Sequence, residues 1–182
     1  MPEIRIHGYG GEGTVTLSEL VARAALKTGK QVQSMPFFGS ERRGAPVKSA
    51  LRISDKEIWT YSQSYQPDIL LIMNHKLLDV SVNQGIKSDG IILLNSSRNV
   101  ECGYKTYSID ADSICMENGL VSKGSVYANI PLCGALCALL NISAACMTDA
   151  VKEKWNGTAG EKNAGGALIA YEAMLQKIKD AK

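Results

Sequence analysis

The chain has 182 residues, about the length of one domain, and 45% of them are hydrophobic, which suits an ordinary globular core. Twenty Lys and Arg residues against 18 Asp and Glu residues leave a formal net charge of +2. This balance excludes the strongly basic surface typical of nucleic-acid binding or of a polybasic membrane patch. No segment has the roughly 18 apolar residues of a membrane-spanning helix. The N-terminus MPEIRIHGYGG lacks the apolar run of a signal peptide, so we expect a cytoplasmic protein.

Strand patterns and helical patterns alternate along the chain. The predicted strands are EIRIH (3–7), QVQSM (31–35), DILLIM (68–73), IILLN (91–95) and KTYSID (105–110). The predicted helices cover 14–27, 76–84, 131–142, 147–155 and 165–179. Period-two alternation in VKSALRI and EIWTYS, on either side of Ser54-Asp55-Lys56, predicts a β-hairpin.

This alternation predicts an α/β fold: a single Rossmann-like, doubly wound, mainly parallel sheet with helices on both faces and a helical C-terminal third. No internal repeat or linker interrupts the pattern. We therefore expect one domain over residues 1–182.

The five cysteines are odd in number, and no two have C-x-x-C spacing. Cys133 and Cys137 are four residues apart within an apolar helical pattern, which is not the spacing of a cluster or zinc site. We expect buried, reduced thiols that behave as small hydrophobic residues, and no metal bound by this chain.

A glycine-rich loop, HGYGGEG, follows the first predicted strand, and Gly8, Gly10 and Gly13 match the dinucleotide pattern G-x-G-x-x-G. Such a loop brings backbone amides and a helix N-terminus together, which favours a phosphate or another anion. Thr14 stands where it could cap the helix. The plainer interpretation, that the glycines only permit a tight turn and close packing, stays open.

A dinucleotide site needs an acidic residue about 20 positions further on, to bind the ribose hydroxyls. Gln33 and Ser34 stand there instead, and Glu41 comes too late, beyond a proline. NAD or FAD binding is therefore disfavoured. The P-loop pattern is also absent, because Gly13 is followed by Thr14-Val15 rather than by Lys-Ser or Lys-Thr.

The loop PFFGSERRGAP (36–46) contains Phe37 and Phe38, the only phenylalanines, and the pair Arg42-Arg43. In a doubly wound sheet, the loops after the first two strands emerge at the same edge, so this loop should lie near the glycine loop. Two arginines beside an anion site suit phosphate or carboxylate recognition. They could equally be solvated or pair with Glu41 and a partner subunit. Exposed phenylalanines would indicate an interface.

The sequence contains no evident catalytic set. His7 and His75 are its only histidines, neither has a nucleophile partner, and no G-x-S-x-G motif occurs. We expect His7 to hydrogen-bond locally at the end of the first strand and His75 to lie near the same edge of the sheet. The chain alone does not resemble a complete enzyme.

The two motifs together, GYGGEGTVTLSELVARAALKTGKQVQ and PFFGSERRGAPVKSALRIS, resemble the gamma subunit of the 2-oxoacid:ferredoxin oxidoreductases. The similarity extends over nearly the whole chain, through PDILLIMNHKLLD, GIILLN and NIPLCGALCALLNI. The family usually has G-x-G-G-Q-G in the first loop. Here Glu12 replaces the glutamine and puts a carboxylate beside the expected anion site.

The resemblance implies a non-catalytic subunit that works with alpha, beta and delta subunits and with ferredoxin as electron acceptor. Thiamine diphosphate, Mg²⁺ and [4Fe-4S] clusters would be held by the partners, and coenzyme A would bind as substrate at the subunit interface. The reaction would be oxidative decarboxylation of a 2-oxoacid, such as pyruvate or 2-oxoglutarate, to an acyl-CoA. The resemblance assigns ligand contacts to Gly8, Gly10, Gly11, Glu12, Gly13, Thr14, Ser40, Glu41, Arg42 and Arg43.

Two other hypotheses remain at this point. One is a free-standing nucleotide-binding protein or enzyme, which rests on G-x-G-x-x-G alone. The other is a purely structural subunit whose glycine loop binds no ligand.

Overall fold

A computed structural model describes residues 1–37, 44–122 and 124–181. Six strands form the main sheet, in the order β2-β3-β1-β4-β5-β6. The strands are β1 (Glu3–Tyr9), β2 (Gln31–Phe37), β3 (Pro46–Ser54), β4 (Ile69–Ile72), β5 (Ile91–Asn95) and β6 (Lys105–Ile109). β1, β4, β5 and β6 pair in parallel, whereas β3 pairs antiparallel with both β1 and β2. Five of the six strands therefore run the same way, and the predicted α/β fold with a mainly parallel sheet is confirmed.

The predicted hairpin around Ser54-Asp55-Lys56 is wrong. β3 pairs with β2 from Gln31 opposite Ser54 to Phe37 opposite Lys48, and residues 57–62 form no strand. The alternation in β3 was real, but its antiparallel partner precedes it in the chain. β2 also extends through Pro36, which is compatible with an edge strand because the proline has no N–H to contribute to a ladder.

In the described part of the chain, six helices accompany the sheet, together with a 3-10 turn at His75–Leu77. The helices are α1 (Thr14–Leu26), α2 (Leu78–Asn83), α3 (Ala111–Glu117), α4 (Asn129–Leu139), α5 (Ala144–Lys154) and α6 (Thr158–Asp180). The sequence pattern did not predict α3, which Asp110 caps by accepting a hydrogen bond from the Ser113 amide. A short hairpin, β7 (Val121–Ser122) with β8 (Ser125–Val126), was not predicted either. None of the described helices is both long and apolar enough to cross a bilayer.

The main core lies between the sheet and the longer helices. Ile4 and Ile6 of β1, Leu51 of β3 and Leu71 of β4 project into it and meet α1 and α4–α6. α4 is apolar on every side, and it packs against α6 so closely that a Cβ added at Gly134 would lie 1.8 Å from the Ala167 carbonyl oxygen. Glycine at this position lets the two helices touch.

The cysteines fit this core in part. Cys115, Cys133 and Cys137 are buried, as predicted, but Cys102 and Cys146 are only half-buried. Burial raises the pKa of the Cys115 thiol to about 12, which keeps it protonated and unreactive.

The opposite face of the sheet has two parts. One part is a smaller apolar cluster beneath α2, and the other part is polar and lies beneath residues 57–66. Two buried arginines anchor this segment. Arg52 donates to the Thr60 and Ser62 carbonyls and pairs with Glu3, and Arg5 donates to the Ser64 and Tyr65 carbonyls. The anchored segment therefore follows a defined path without forming a helix or a strand, while Trp59, Tyr61 and Tyr65 remain exposed on it.

Candidate ligand-binding site

The glycine loop connects β1 to α1 through two left-handed residues, Gly11 at φ 99° and Gly13 at φ 86°. A side chain at Gly13 would also collide with Asn129 of α4, because a Cβ there would lie 2.7 Å from the Asn129 amide nitrogen. At Gly8 a Cβ would lie 2.6 Å from the Thr14 hydroxyl. Both glycines therefore allow the close packing that the sequence suggested, at the point where the loop meets α1 and α4.

The Glu12 carboxylate binds within the loop itself. One oxygen accepts a hydrogen bond from the Tyr9 amide at 2.7 Å, and the other accepts from the Asn74 side chain at 3.0 Å. Because Asn74 follows β4, this carboxylate joins the loops after two neighbouring parallel strands. The Tyr9 amide in the turn is therefore already hydrogen-bonded to an anionic group of the protein itself, the Glu12 carboxylate.

Thr14 does not cap α1, contrary to the prediction. Gly13 is the N-cap residue, and α1 has no side-chain cap. Thr14 is already helical and buried, and its hydroxyl lies 3.4 Å from the Met73 sulfur. The first amides of an uncapped helix are left for water or a ligand, and they carry the positive end of the helix dipole.

The described end of the second motif lies against the glycine loop. The Gly10 amide donates to the Ala45 carbonyl at 2.8 Å, and the Gly44 amide donates to the Gly10 carbonyl at 3.2 Å. Gly44 and Ala45 therefore agree with the expectation that the two loops are neighbours. Ser40, Glu41, Arg42 and Arg43 lie outside the described residues, as does Phe38. Phe37 is not in a loop: it is the half-buried last residue of β2.

Two cavities flank the glycine loop. The first, which we name the α6 cavity, has a volume of about 550 Å³ and reaches from Gly11–Gly13 to Lys162 and Trp155. The second, the Gly44 groove, has a volume of about 590 Å³ and lies between Gly10 and Lys76 on the side of Gly44. Gly10, Gly11, Glu12 and Gly13 of the predicted site line one or both cavities, whereas Gly8 and Thr14 line neither.

The α6 cavity combines helix N-termini, the Lys162 cation, the Glu12 carboxylate and an apolar wall. It is lined by residues from the first two turns of three helices: Thr16 of α1, Asn129 and Ile130 of α4, and Ala159, Lys162 and Asn163 of α6. Leu120, Val126 and Trp155 supply the apolar side. Polar donors at one end and apolar surface at the other are typical of sites for small organic anions.

Sequence reasoning missed Lys162, Asn129 and Trp155. They lie in the C-terminal third, which was correctly predicted to be mostly helical but was given no role. The prediction also began the last helix at residue 165, whereas α6 starts at Thr158. Asn129, two residues before Pro131 at the start of an apolar helix, was the one local signal of an N-terminus.

Neither histidine lines these two cavities. His7 is buried and accepts a hydrogen bond from the Arg5 side chain at 2.8 Å, as the predicted local bond requires. Burial, reinforced by the charges of Arg5 and Lys48, lowers the pKa of His7 to about 3. His75 is exposed just after β4, at the predicted edge. Within residues 1–37, 44–122 and 124–181, no group of three His, Cys, Asp or Glu side chains is placed to hold a metal ion.

The topology bears on the dinucleotide hypothesis as well. A dinucleotide fold takes its ribose-binding acid from the end of the parallel strand beside β1. Here that place in the sheet is filled by β3, which runs antiparallel and begins with Pro46 and Val47 at this edge. β2, where the acid was sought, is one strand further away.

These features define an α/β protein with a glycine loop and two flanking cavities at the carboxyl edge of its sheet. The family model described as pyruvate ferredoxin/flavodoxin oxidoreductase matches residues 3–173, so the chain belongs to that family.

Its relatives include subunits of pyruvate-converting enzymes. The chain is 41% identical, over 97% of its length and 99% of the relative's, to a pyruvate synthase subunit PorC from Methanocaldococcus jannaschii. It is 39% identical to the common subunit gamma of the pyruvate/ketoisovalerate oxidoreductases of Thermococcus kodakarensis, over 94% of this chain and 96% of that relative. The crystal structure of pyruvate oxidoreductase subunit PORC from Thermotoga maritima superposes with a TM-score of 0.80 at 27% identity, over 93% of this chain and 94% of that one.

Proposed function

We propose that this chain is the gamma subunit of a multi-subunit 2-oxoacid:ferredoxin oxidoreductase that forms an acyl-CoA from a 2-oxoacid, with pyruvate as the favoured substrate. The observation that carries the proposal is similarity over the full length of the chain to subunits with this name. The role we assign to the chain is to bind coenzyme A and to assemble with partners. Decarboxylation and electron transfer would take place on groups that the partners hold.

The carboxyl edge of the sheet supports the coenzyme A assignment. Coenzyme A has a phosphorylated nucleotide at one end and a neutral pantetheine arm at the other. The α6 cavity offers backbone amides, Lys162 and an apolar wall, and the Gly44 groove on the other side of the glycine loop is lined by Gly44, which follows Arg42 and Arg43 in the sequence. The chain would hold the nucleotide and direct the arm toward a partner subunit.

The partners we propose are the alpha, beta and delta subunits, with ferredoxin as the electron acceptor. Thiamine diphosphate, Mg²⁺ and the iron–sulfur clusters are assigned to those partners. Support comes from the family resemblance and from the exposed Trp59, Tyr61 and Tyr65, since aromatic side chains are enriched at protein interfaces.

Co-expression of the tagged chain with the genes next to its own tests the assembly. We expect a complex that contains thiamine diphosphate and reduces ferredoxin with pyruvate and coenzyme A. A tagged chain that stays monomeric beside those proteins would contradict the assignment.

Kinetics of the assembled enzyme test the coenzyme A role. Arg43→Ala is expected to raise the KM for coenzyme A while kcat and assembly stay normal. If Gly11→Ala and Arg43→Ala change assembly alone, the chain is a purely structural subunit. A tightly bound NAD or FAD, seen by native mass spectrometry of the purified chain, would revive the free-standing nucleotide-binding alternative.

A further inference from the structure

The last strand of the sheet, β6, pairs with β5 on one side and has a free edge on the other. On the β5 side, the Ile109 carbonyl accepts a hydrogen bond from the Ser96 amide at 3.0 Å. Alternate residues of a strand direct their backbone groups to opposite sides, so those of Thr106 and Ser108 point away from β5. Within residues 1–37, 44–122 and 124–181, the N–H and C=O groups of these two residues make no hydrogen bond.

This edge lies in a groove of about 580 Å³, which we name the β6 groove. One wall is the segment 99–104, whose Val100, Cys102 and Tyr104 side chains pack on the smaller apolar cluster. The other wall is the C-terminal end of α6, with Lys177 and Asp180. The central residues of β6 are buried between these walls, so the strand is covered on both faces and open along its edge.

Ser108 adds an unsatisfied side chain to the groove that it lines. The residue is only 6% exposed, and its enclosed hydroxyl has no hydrogen-bond partner in the described part of the chain. An unpaired buried hydroxyl is costly, and rotation about χ1 can turn it toward a chain bound at the edge. Two N–H groups, two C=O groups and this hydroxyl are therefore available in one groove.

A row of alternating N–H and C=O groups is complementary to the backbone of another extended strand. The other edge strand, β2, contains Pro36, a residue that discourages further pairing, whereas β6 has no proline. A second copy of this chain is a poor occupant, because its own β6 stands between the same two walls, and these would press against each other. An extended terminus or loop of a different subunit has no such walls.

We infer that the β6 groove binds an extended segment of a partner subunit, which adds a strand to the sheet through the backbone of Thr106 and Ser108. Successive side chains of that segment face opposite walls. Those toward Val100 and Tyr104 are apolar, and those toward Lys177 and Asp180 are polar. This inference rests on the assembly part of the proposed function and adds the place where the chain meets a partner.

Hydrogen–deuterium exchange, read residue by residue on the full chain alone and on the co-expressed complex, tests the backbone contact. The amides of Thr106 and Ser108 should exchange quickly in the chain alone and slowly in the complex, so uptake over 105–109 should fall by about two deuterons. The amides of Tyr107 and Ile109, which point toward β5, are the internal control and should exchange slowly in both samples.

A pair of substitutions at Thr106 tests whether the outward N–H matters for assembly. Thr106→Pro removes that N–H and leaves the ladder to β5 intact. Thr106→Ala is the matched control: it loses the same hydroxyl, which bonds only within the segment 102–106, but keeps the N–H. Each variant is co-expressed with the partner subunits and the wild-type chain, and mass spectrometry of the purified complex gives the ratio of the two chains.

Thr106→Pro should enter the complex about tenfold less than the wild-type chain, because one strand hydrogen bond is lost and its acceptor stays unpaired. Thr106→Ala should enter about equally. Urea unfolding of each full chain checks that the variant folds, and if Thr106→Pro does not, the exchange experiment on the wild-type chain decides.

Equal exchange of the Thr106 and Ser108 amides in the chain and in the complex would overturn the inference, as would normal entry of a folded Thr106→Pro. Exclusion of Thr106→Ala as strong as that of Thr106→Pro would assign the effect to the side chain and also overturn it. Protection of both amides in a dimer of the chain alone would identify a second copy as the occupant, against the inference. If the wild-type chain forms no complex at all, the proposed function fails; if the complex forms with both amides unprotected, this inference alone fails.

Discussion

His7 should make the stability of this protein depend on pH between 7.5 and 5. Its pKa is lowered from 6.5 to about 3, because the side chain is buried and lies beside Arg5. Between these two values the unfolded chain binds a proton that the folded chain does not. Stability from this group is therefore fully present above pH 6.5 and is lost as the pH falls toward 3.

The size of the effect follows from the two pKa values. At pH 5, which lies 1.5 pH units below the unfolded pKa of 6.5, the His7 side chain of the unfolded chain is mostly protonated. One unit is worth about 1.4 kcal/mol, so the free energy of unfolding should fall by about 2 kcal/mol between pH 7.5 and 5. This figure hardly depends on the folded pKa, provided that it lies below about 4.

Urea unfolding of the full chain at pH 7.5, 6 and 5 measures this difference. His7→Gln keeps a neutral acceptor for Arg5 but cannot titrate, so it should lose about 2 kcal/mol of the pH dependence. His75→Gln, at an exposed position, is the control and should keep the wild-type difference. A pH dependence that survives unchanged in His7→Gln, or an NMR signal of protonated His7 in the folded protein at pH 5, would refute the reasoning.

Three further predictions concern packing and charge. Gly134→Ala should lower the free energy of unfolding by about 3 kcal/mol or more, because the new methyl group meets a backbone oxygen. Gly165→Ala, with nothing within 4 Å, should change it by less than about 1 kcal/mol. Equal effects of the two substitutions in urea unfolding would contradict the close helix contact. Arg52→Met leaves Glu3 without its buried partner and should lower the free energy of unfolding by about 3–5 kcal/mol. Limited digestion with trypsin should then cleave the chain more rapidly after Lys56. Unaltered cleavage would show that the arginine does not anchor the segment. Glu12→Gln removes a negative charge beside the α6 cavity. Titration calorimetry with adenosine 3′,5′-bisphosphate should therefore show that binding is about two- to fivefold tighter than in the wild type. Weaker binding would mean that the carboxylate helps to hold the ligand.

The sequence was sufficient where local pattern and burial agree. The unbroken apolar runs that became β4 and β5 identified the sheet centre, because a strand covered on both faces needs apolar side chains in both directions. It failed where the partner was distant or where glycine weakened the pattern. The alternation in β3 could not indicate whether its neighbour came before or after it, and Gly157 and Gly160 weakened the helical pattern in the first two turns of α6.

The candidate site divides in the same way. The glycine loop was identified because a motif is contiguous in the chain. Lys162 and Asn129 approach it only through the packing of α4 against α1 and of α6 against α4, and nothing adjacent to either residue in the sequence records that approach. Glu12 was recognised as a carboxylate beside the loop, but its bonds to Tyr9 and Asn74 depend on how the β1 and β4 ends are placed in space.

The way in which Arg5 and Arg52 hold residues 57–66 has a consequence for sequence change in this segment. Most of their bonds to the segment end on carbonyl oxygens, which every amino acid possesses. Its course is therefore largely independent of its own side chains, and Trp59 or Tyr61 can be exchanged without releasing the backbone. This face of the protein therefore has a fixed backbone path whose exposed side chains can change to suit a binding partner while the fold of the domain stays the same.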